Sequence, residues 1–122
     1  MGEIDTQEMN TASQQMALNP EFMALVKAGY KESTVRKGRR SVQMGSSLLL
    51  TDGLENQVAV SVTNVKMKRF DELTEPDARR DGFDSLKSLL ETLRSIYPQI
   101  NSQDLVTVIS FVPQGNRADS GE

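Results

Sequence analysis

The clearest pattern in the chain runs from Gln57 to Met67. Val58, Val60 and Val62 alternate with Gln57, Ala59, Ser61 and Thr63, the spacing that puts one face of a β-strand in a core. Val65 and Met67 keep step with that face only if a bulge intervenes near Asn64. A different period governs Leu86, Leu89, Leu90, Leu93 and Ile96, with Lys87, Glu91 and Arg94 outside it. This predicts a helix over about 86–96, capped by Asp84 or Ser85 and ended by Tyr97-Pro98. An earlier helix is announced by Asn19-Pro20-Glu21. The Asn19 side chain can accept from a free backbone N–H, and Pro20 suits the first helical position. Phe22, Leu25 and Val26 follow at helical spacing, and Gly29 can end the helix with a positive φ. Shorter apolar stretches predict strands at Gln14 to Asn19, Ser33 to Arg36, Ser47 to Thr51 and Leu105 to Val112. The last is apolar on both faces, as a central strand is. Lys37-Gly38-Arg39-Arg40 and Asp52-Gly53 read as turns. Phe70 to Arg80 reads as short and helical, with Glu75-Pro76-Asp77 opening one turn.

These elements predict an α+β fold with an early helix and a helical insertion before the last strand. A small, partly closed β-barrel is the natural way to protect sheet edges at this size. The 122 residues suit one domain. Residues 1–12 are polar and read as a flexible lead-in, residues 13–113 as the domain, and residues 114–122 as a flexible tail. Residues 1–15 lack the basic start and apolar middle of a secretory signal. Apolar runs such as Leu48-Leu49-Leu50 are far too short to cross a bilayer. Gly2 with Thr6 only formally touches the myristoylation pattern, because acidic flanks surround it. A cytoplasmic protein without a membrane partner is the expectation.

Composition narrows the chemistry. There is no Cys and no His, so disulfides, thiol catalysis, imidazole bases and His-ligated metals are excluded. No metal or cofactor is expected. A catalyst here must be built from Lys, Ser, Thr, Tyr, Asp, Glu or backbone. The net charge of −3 argues against a general binder of phosphate backbone. The charge is unevenly spread, however. Lys27, Lys31, Arg36, Lys37, Arg39 and Arg40 fall within fourteen residues, opposed by Glu32 alone. Such a window suits local binding of an anion, and it equally describes a solvated loop.

Gly29-Tyr30-Lys31-Glu32-Ser33-Thr34-Val35-Arg36 resembles the Gly-x-Lys-x-x-Glu-x-Arg motif of ASCH domains, a branch of the PUA-like superfamily. Met44-Gly45-Ser46 before Leu48-Leu49 resembles that family's Gly-Asp and following apolar strand, with Ser46 in place of the Asp. Phe70 to Phe83 resembles its helical insertion, and Ile96-Tyr97-Pro98 and the last strand also fit. The resemblance covers roughly residues 14–112. It implies a PUA-like β-barrel with a cleft beside the helices, associated with RNA or modified nucleobases. The pattern with Thr34 in place of the Glu is that of the small N4-acetylcytidine amidohydrolases. For that branch the resemblance implies Lys31, Thr34 and a carboxylate in the insertion as functional residues. Asp81 stands at the matching position, one methylene shorter than the branch's Glu.

Amide hydrolysis needs a nucleophile, a proton shuttle and stabilisation of an oxyanion. Thr34 could attack, Lys31 could take its proton once burial or a neighbouring cation such as Arg36 lowers its pKa, and Asp81 could shuttle a proton or orient Lys31. Positions three apart in a strand point to opposite faces. Lys31 and Thr34 therefore converge only if the chain bends near Glu32-Ser33, which Gly29 makes easier. Three functions stay open. The first is binding of RNA or a modified pyrimidine nucleoside, with Lys31, Arg36, Lys37, Arg39, Arg40 and Arg79 meeting phosphate or base edges. The second is N4-acetylcytidine hydrolysis by Lys31, Thr34 and Asp81. The third is a protein-interaction module on the same barrel without pocket chemistry.

Overall fold

A computed structural model describes residues 14–114. The predicted lead-in, the Gly2–Thr6 pattern and the tail beyond Gln114 lie outside the described residues. The elements are β1 (Gln15–Ala17), α1 (Pro20–Ala28), β2 (Ser33–Lys37), β3 (Ser47–Thr51), β4 (Gln57–Arg69), α2 (Glu75–Arg80), α3 (Leu86–Ile96) and β5 (Leu105–Pro113), with a 3-10 turn at Phe70–Glu72. The strands form one five-stranded sheet in the order β1-β3-β4-β5-β2. It curls into a half-barrel, and with the three helices this is the α+β architecture the pattern predicted. β1 pairs with β3 in parallel, and the other pairings are antiparallel. β1 and β2 are therefore the two free edges.

The bulge falls where the alternation breaks. Val62 pairs with Phe111 and Asn64 with Ser110, leaving Thr63 as the extra residue. β5 keeps strict alternation and feeds two cores. Ile109 and Phe111 join Leu48, Leu50, Val60 and Val62 inside the curl, under Met23 and Val26 of α1. Val106 and Val108 face outward with Val35, against Phe70, Leu73, Ala78, Leu89, Leu93 and Ile100. That is why both faces of the last strand are apolar.

Three local expectations are corrected. The Asn19 side chain makes no capping hydrogen bond; its carbonyl oxygen accepts from the Phe22 and Met23 amides instead. Asp52-Gly53 opens a five-residue loop rather than a tight turn. There the Asp52 carboxylate accepts from the Leu54 and Asn56 amides, the usual use of Asp to close a longer turn. Phe22 and Leu25 are only half-buried, because α1 turns Met23 and Val26 to the core and leaves these two on its flank. Among the described residues no helix is long and apolar enough to cross a membrane.

Candidate functional site

The site is assembled where α1 ends and the insertion returns to the sheet. Gly29 takes φ 88°, and its amide bonds back to the Leu25 and Val26 carbonyls. The amides of Tyr30 and Lys31 also reach the Leu25 carbonyl. This reverses the chain before β2 begins, so Lys31 lies outside the strand and is free of its alternation. The reversal falls at Gly29 to Lys31, ahead of the Glu32-Ser33 position where the sequence placed the bend. The Glu32 amide then donates to the Arg80 carbonyl at 2.6 Å, which ties the start of β2 to the end of α2. Asp81 follows directly. Thr74 caps α2 by accepting from the Asp77 amide, and Asp77 accepts from the Thr74 amide in return. Lys68 of β4 holds the same carboxylate at 2.8 Å. The insertion is therefore fixed to the sheet at both ends of α2.

Lys31 and Asp81 meet in a buried ion pair, and the Lys31 ammonium also donates to the Asp81 carbonyl at 3.2 Å. The link after Asp81 can come this close because residue 82 is glycine. Gly82 has φ 94°, and a Cβ there would lie 3.2 Å from Leu25 Cδ1 and 3.5 Å from Lys31 Cβ. Burial first, and the Arg36 charge second, lower the Lys31 pKa from 10.5 to about 7. The Lys31 ammonium sits 5.2 Å from the centre of the Phe22 ring, which itself packs edge-on to Phe83 at 5.9 Å.

Arg36 stands two residues beyond Thr34 on the same face of β2. Its Nε donates to Thr34 Oγ1 at 3.4 Å. Its terminal nitrogen donates to the Ala17 carbonyl at 2.6 Å, so one guanidinium spans the gap between the free edges β2 and β1. Burial lowers the Arg36 pKa, and the Tyr97 hydroxyl favours its charged form.

These groups border one cavity of about 330 Å³ in the opening of the half-barrel. Lys31, Thr34, Arg36 and Asp81 all line it, with Phe22, Phe83, Leu93 and Tyr97 among the apolar and aromatic walls. That volume lies within the range of small-molecule sites. Of the other cations expected to bind nucleic acid, Lys37, Arg39 and Arg40 continue past the cavity into the β2–β3 loop, where Arg40 donates to the Lys37 carbonyl. Arg79 lies on α2, 3.9 Å from Glu75, and borders a separate, shallower hollow with Tyr30. Of the basic window, only Lys31 and Arg36 line the cavity.

The pattern reading missed Asn19, Asp52, Thr92 and Tyr97, which also line it. Asp52 carries a carboxylate held below the usual range by the Asn56 side chain and the Leu54 amide. None of these four stands out in sequence. Each is accounted for locally as a cap, a turn, a helix surface or a helix end.

The family model of the ASCH domain matches residues 8–112. Among solved structures, the chain is similar to the ASCH domain from Lactobacillus crispatus, with a TM-score of 0.74 at 16% identity over 89% of this chain and 84% of that one. A protein from Enterococcus faecalis gives 0.64 at 17% identity over 93% and 88%. The ASCH protein from Zymomonas mobilis gives 0.64 at 12% identity over 84% and 71%. No curated protein matches the sequence. At such identities the structural likeness speaks for the fold alone, and the extent of the family match settles the rest: the chain belongs to the ASCH domain family.

Proposed function

We propose that the cavity binds an N4-acylated cytosine nucleoside, represented by N4-acetylcytidine, and that Lys31, Thr34 and Asp81 hydrolyse its amide. The observation that carries this reading is convergence. Three residues expected from the Gly-x-Lys-x-x-Thr-x-Arg pattern and the insertion line a single cavity, with Lys31 against Asp81. The cavity is sized for one nucleoside rather than a strand, and the exposed basic residues lie outside it.

In the proposed reaction, neutral Lys31 accepts the Thr34 hydroxyl proton as Oγ1 adds to the acyl carbonyl carbon. A lysine with a pKa of about 7 can act this way near neutrality. The Arg36 guanidinium is the nearby cation that offsets the developing oxyanion. The C–N bond breaks as the exocyclic nitrogen takes the proton from Lys31, which releases cytidine. Water then adds to the threonine ester with Lys31 again as base. Acetate leaves and Thr34 is restored, so the net change is one amide and one water giving cytidine and acetate. Asp81 holds the Lys31 nitrogen in place throughout.

Incubating the protein with N4-acetylcytidine and following cytidine release tests this. Release by wild type, with a loss of about a hundredfold or more in Lys31→Ala and Thr34→Ala, is expected. No release by wild type, or equal release by Lys31→Ala, rejects it.

A further inference from the structure

The cavity occupies the place where the barrel fails to close, so part of its wall is strand edge. The ladder fixes which backbone groups face it. The Glu32 carbonyl accepts from Phe111 on β5, and the Gly38 amide donates to Leu105 on β5. Residues 32, 34, 36 and 38 therefore turn their main-chain groups toward β5. In an antiparallel ladder the intervening residues turn theirs the other way, so Ser33, Val35 and Lys37 point to the free edge. The opposite edge obeys the same parity. The Gln14 carbonyl and the Leu18 amide bond β3, while the Ala17 carbonyl faces the gap and takes the Arg36 guanidinium. Of the three outward residues on β2, only Val35 lines the cavity. Its side chain is committed to the outer core with Val106 and Val108. That cluster includes Leu89 and Leu93, which line the cavity too; beside this apolar contact, the ladder parity leaves Val35 one amide N–H and one carbonyl, side by side on the free edge.

We infer that the main-chain N–H and C=O of Val35 read the base, the N–H donating to cytosine N3 and the C=O accepting from its N4–H. This rests on the reading that a cytosine nucleoside enters the cavity. A semi-enclosed strand edge needs a partner for its polar groups, and the adjacent acceptor and donor of cytosine match it in order. An N4-acyl group leaves one N4–H in place, so substrate and product are both recognised. Uridine presents a donor at N3 and an acceptor at position 4, which sets N–H against N–H and oxygen against oxygen. The pairing sets the exocyclic nitrogen at the Val35 carbonyl, on the Arg36 side, with N3 on the Thr34 side. Specificity for cytosine would thus come from backbone, and no side-chain motif would record it.

The test is an amide-resolved NMR titration of the full chain with cytidine. The Val35 amide proton is expected to move downfield and to exchange more slowly at saturation. Uridine and 3-deazacytidine, in which N3 is replaced by C–H, are expected to bind about tenfold more weakly or worse. If cytidine saturates the cavity, moving amides near Lys31 and Tyr97 while Val35 stays still, the edge contact is overturned and the nucleoside reading stands. Equal affinity for 3-deazacytidine has the same meaning. If neither cytidine nor N4-acetylcytidine moves any cavity amide, the nucleoside reading falls, and the edge contact with it.

Discussion

Arg36 is the residue on which most of the site's electrostatics converge. It approaches the Thr34 hydroxyl, bonds the Ala17 carbonyl across the gap and lowers the pKa of Lys31. A strand residue that served packing alone would have none of these effects. In Arg36→Gln the cation is lost, so the Lys31 pKa rises from about 7. If hydrolysis needs the neutral amine, the limb of kcat/KM that climbs with pH moves to higher pH. Activity then falls most near pH 7 and recovers only in part on the alkaline side, where the lost oxyanion stabilisation still lowers it. A role that left the Lys31 pKa alone would lower the profile without moving that limb, so the position of the limb separates the two. At this scale the sequence was informative for a physical reason. Lys31, Thr34 and Arg36 lie within six residues, and all three line one cavity. Asp81 was legible only through the family pattern, since fifty residues separate it from its partner.

Among the elements, the link from α2 to α3 has the tightest tolerance. Gly82 combines a left-handed φ with a close approach to Leu25 and Lys31. Gly53 has a similar φ of 79° with nothing within 4 Å of its absent Cβ. The pair separates strain from crowding. Gly53→Ala is expected to cost only backbone strain, about 1–2 kcal/mol. Gly82→Ala is expected to cost more, because the new methyl must also displace Leu25 and Lys31. Denaturant unfolding gives the two stabilities, and Gly82→Ala should in addition lose the proposed hydrolysis by moving Asp81 off Lys31. Equal stabilities would mean that Leu25 yields freely. Element boundaries were legible wherever a period was intact, as in α3 and β4. At Asn19 and at Asp52-Gly53 the boundaries held too, but the cap bond and the turn type did not, because a polar side chain there had more than one backbone partner to choose from and only the folded loop fixed the choice.

For the whole molecule, burying Lys31 makes stability depend on pH in a definite direction. The pKa is 10.5 when the lysine is exposed and about 7 in the fold. Between these values the unfolded chain binds more protons than the native one, so stability rises with pH over this window. Below pH 7 both states are protonated and the burial penalty is felt in full. In Lys31→Met this contribution is absent, and the rise in stability from pH 7 toward pH 10 is expected to flatten. Thermal melts across that range measure it, and an unchanged slope would place the lysine's pKa near its exposed value.

By itself the sequence determined the elements, the α+β class and the residues of the proposed chemistry, because strand and helix periods are local and the motif is short. Tertiary structure alone decided which strand edges stayed open, and so where the cavity lies. It also turned Phe22 into the wall, brought Asp52 and Tyr97 to the site, and left Lys37, Arg39, Arg40 and Arg79 outside. Pairing order is a contact between distant segments, and no local period encodes which edge remains without a neighbour.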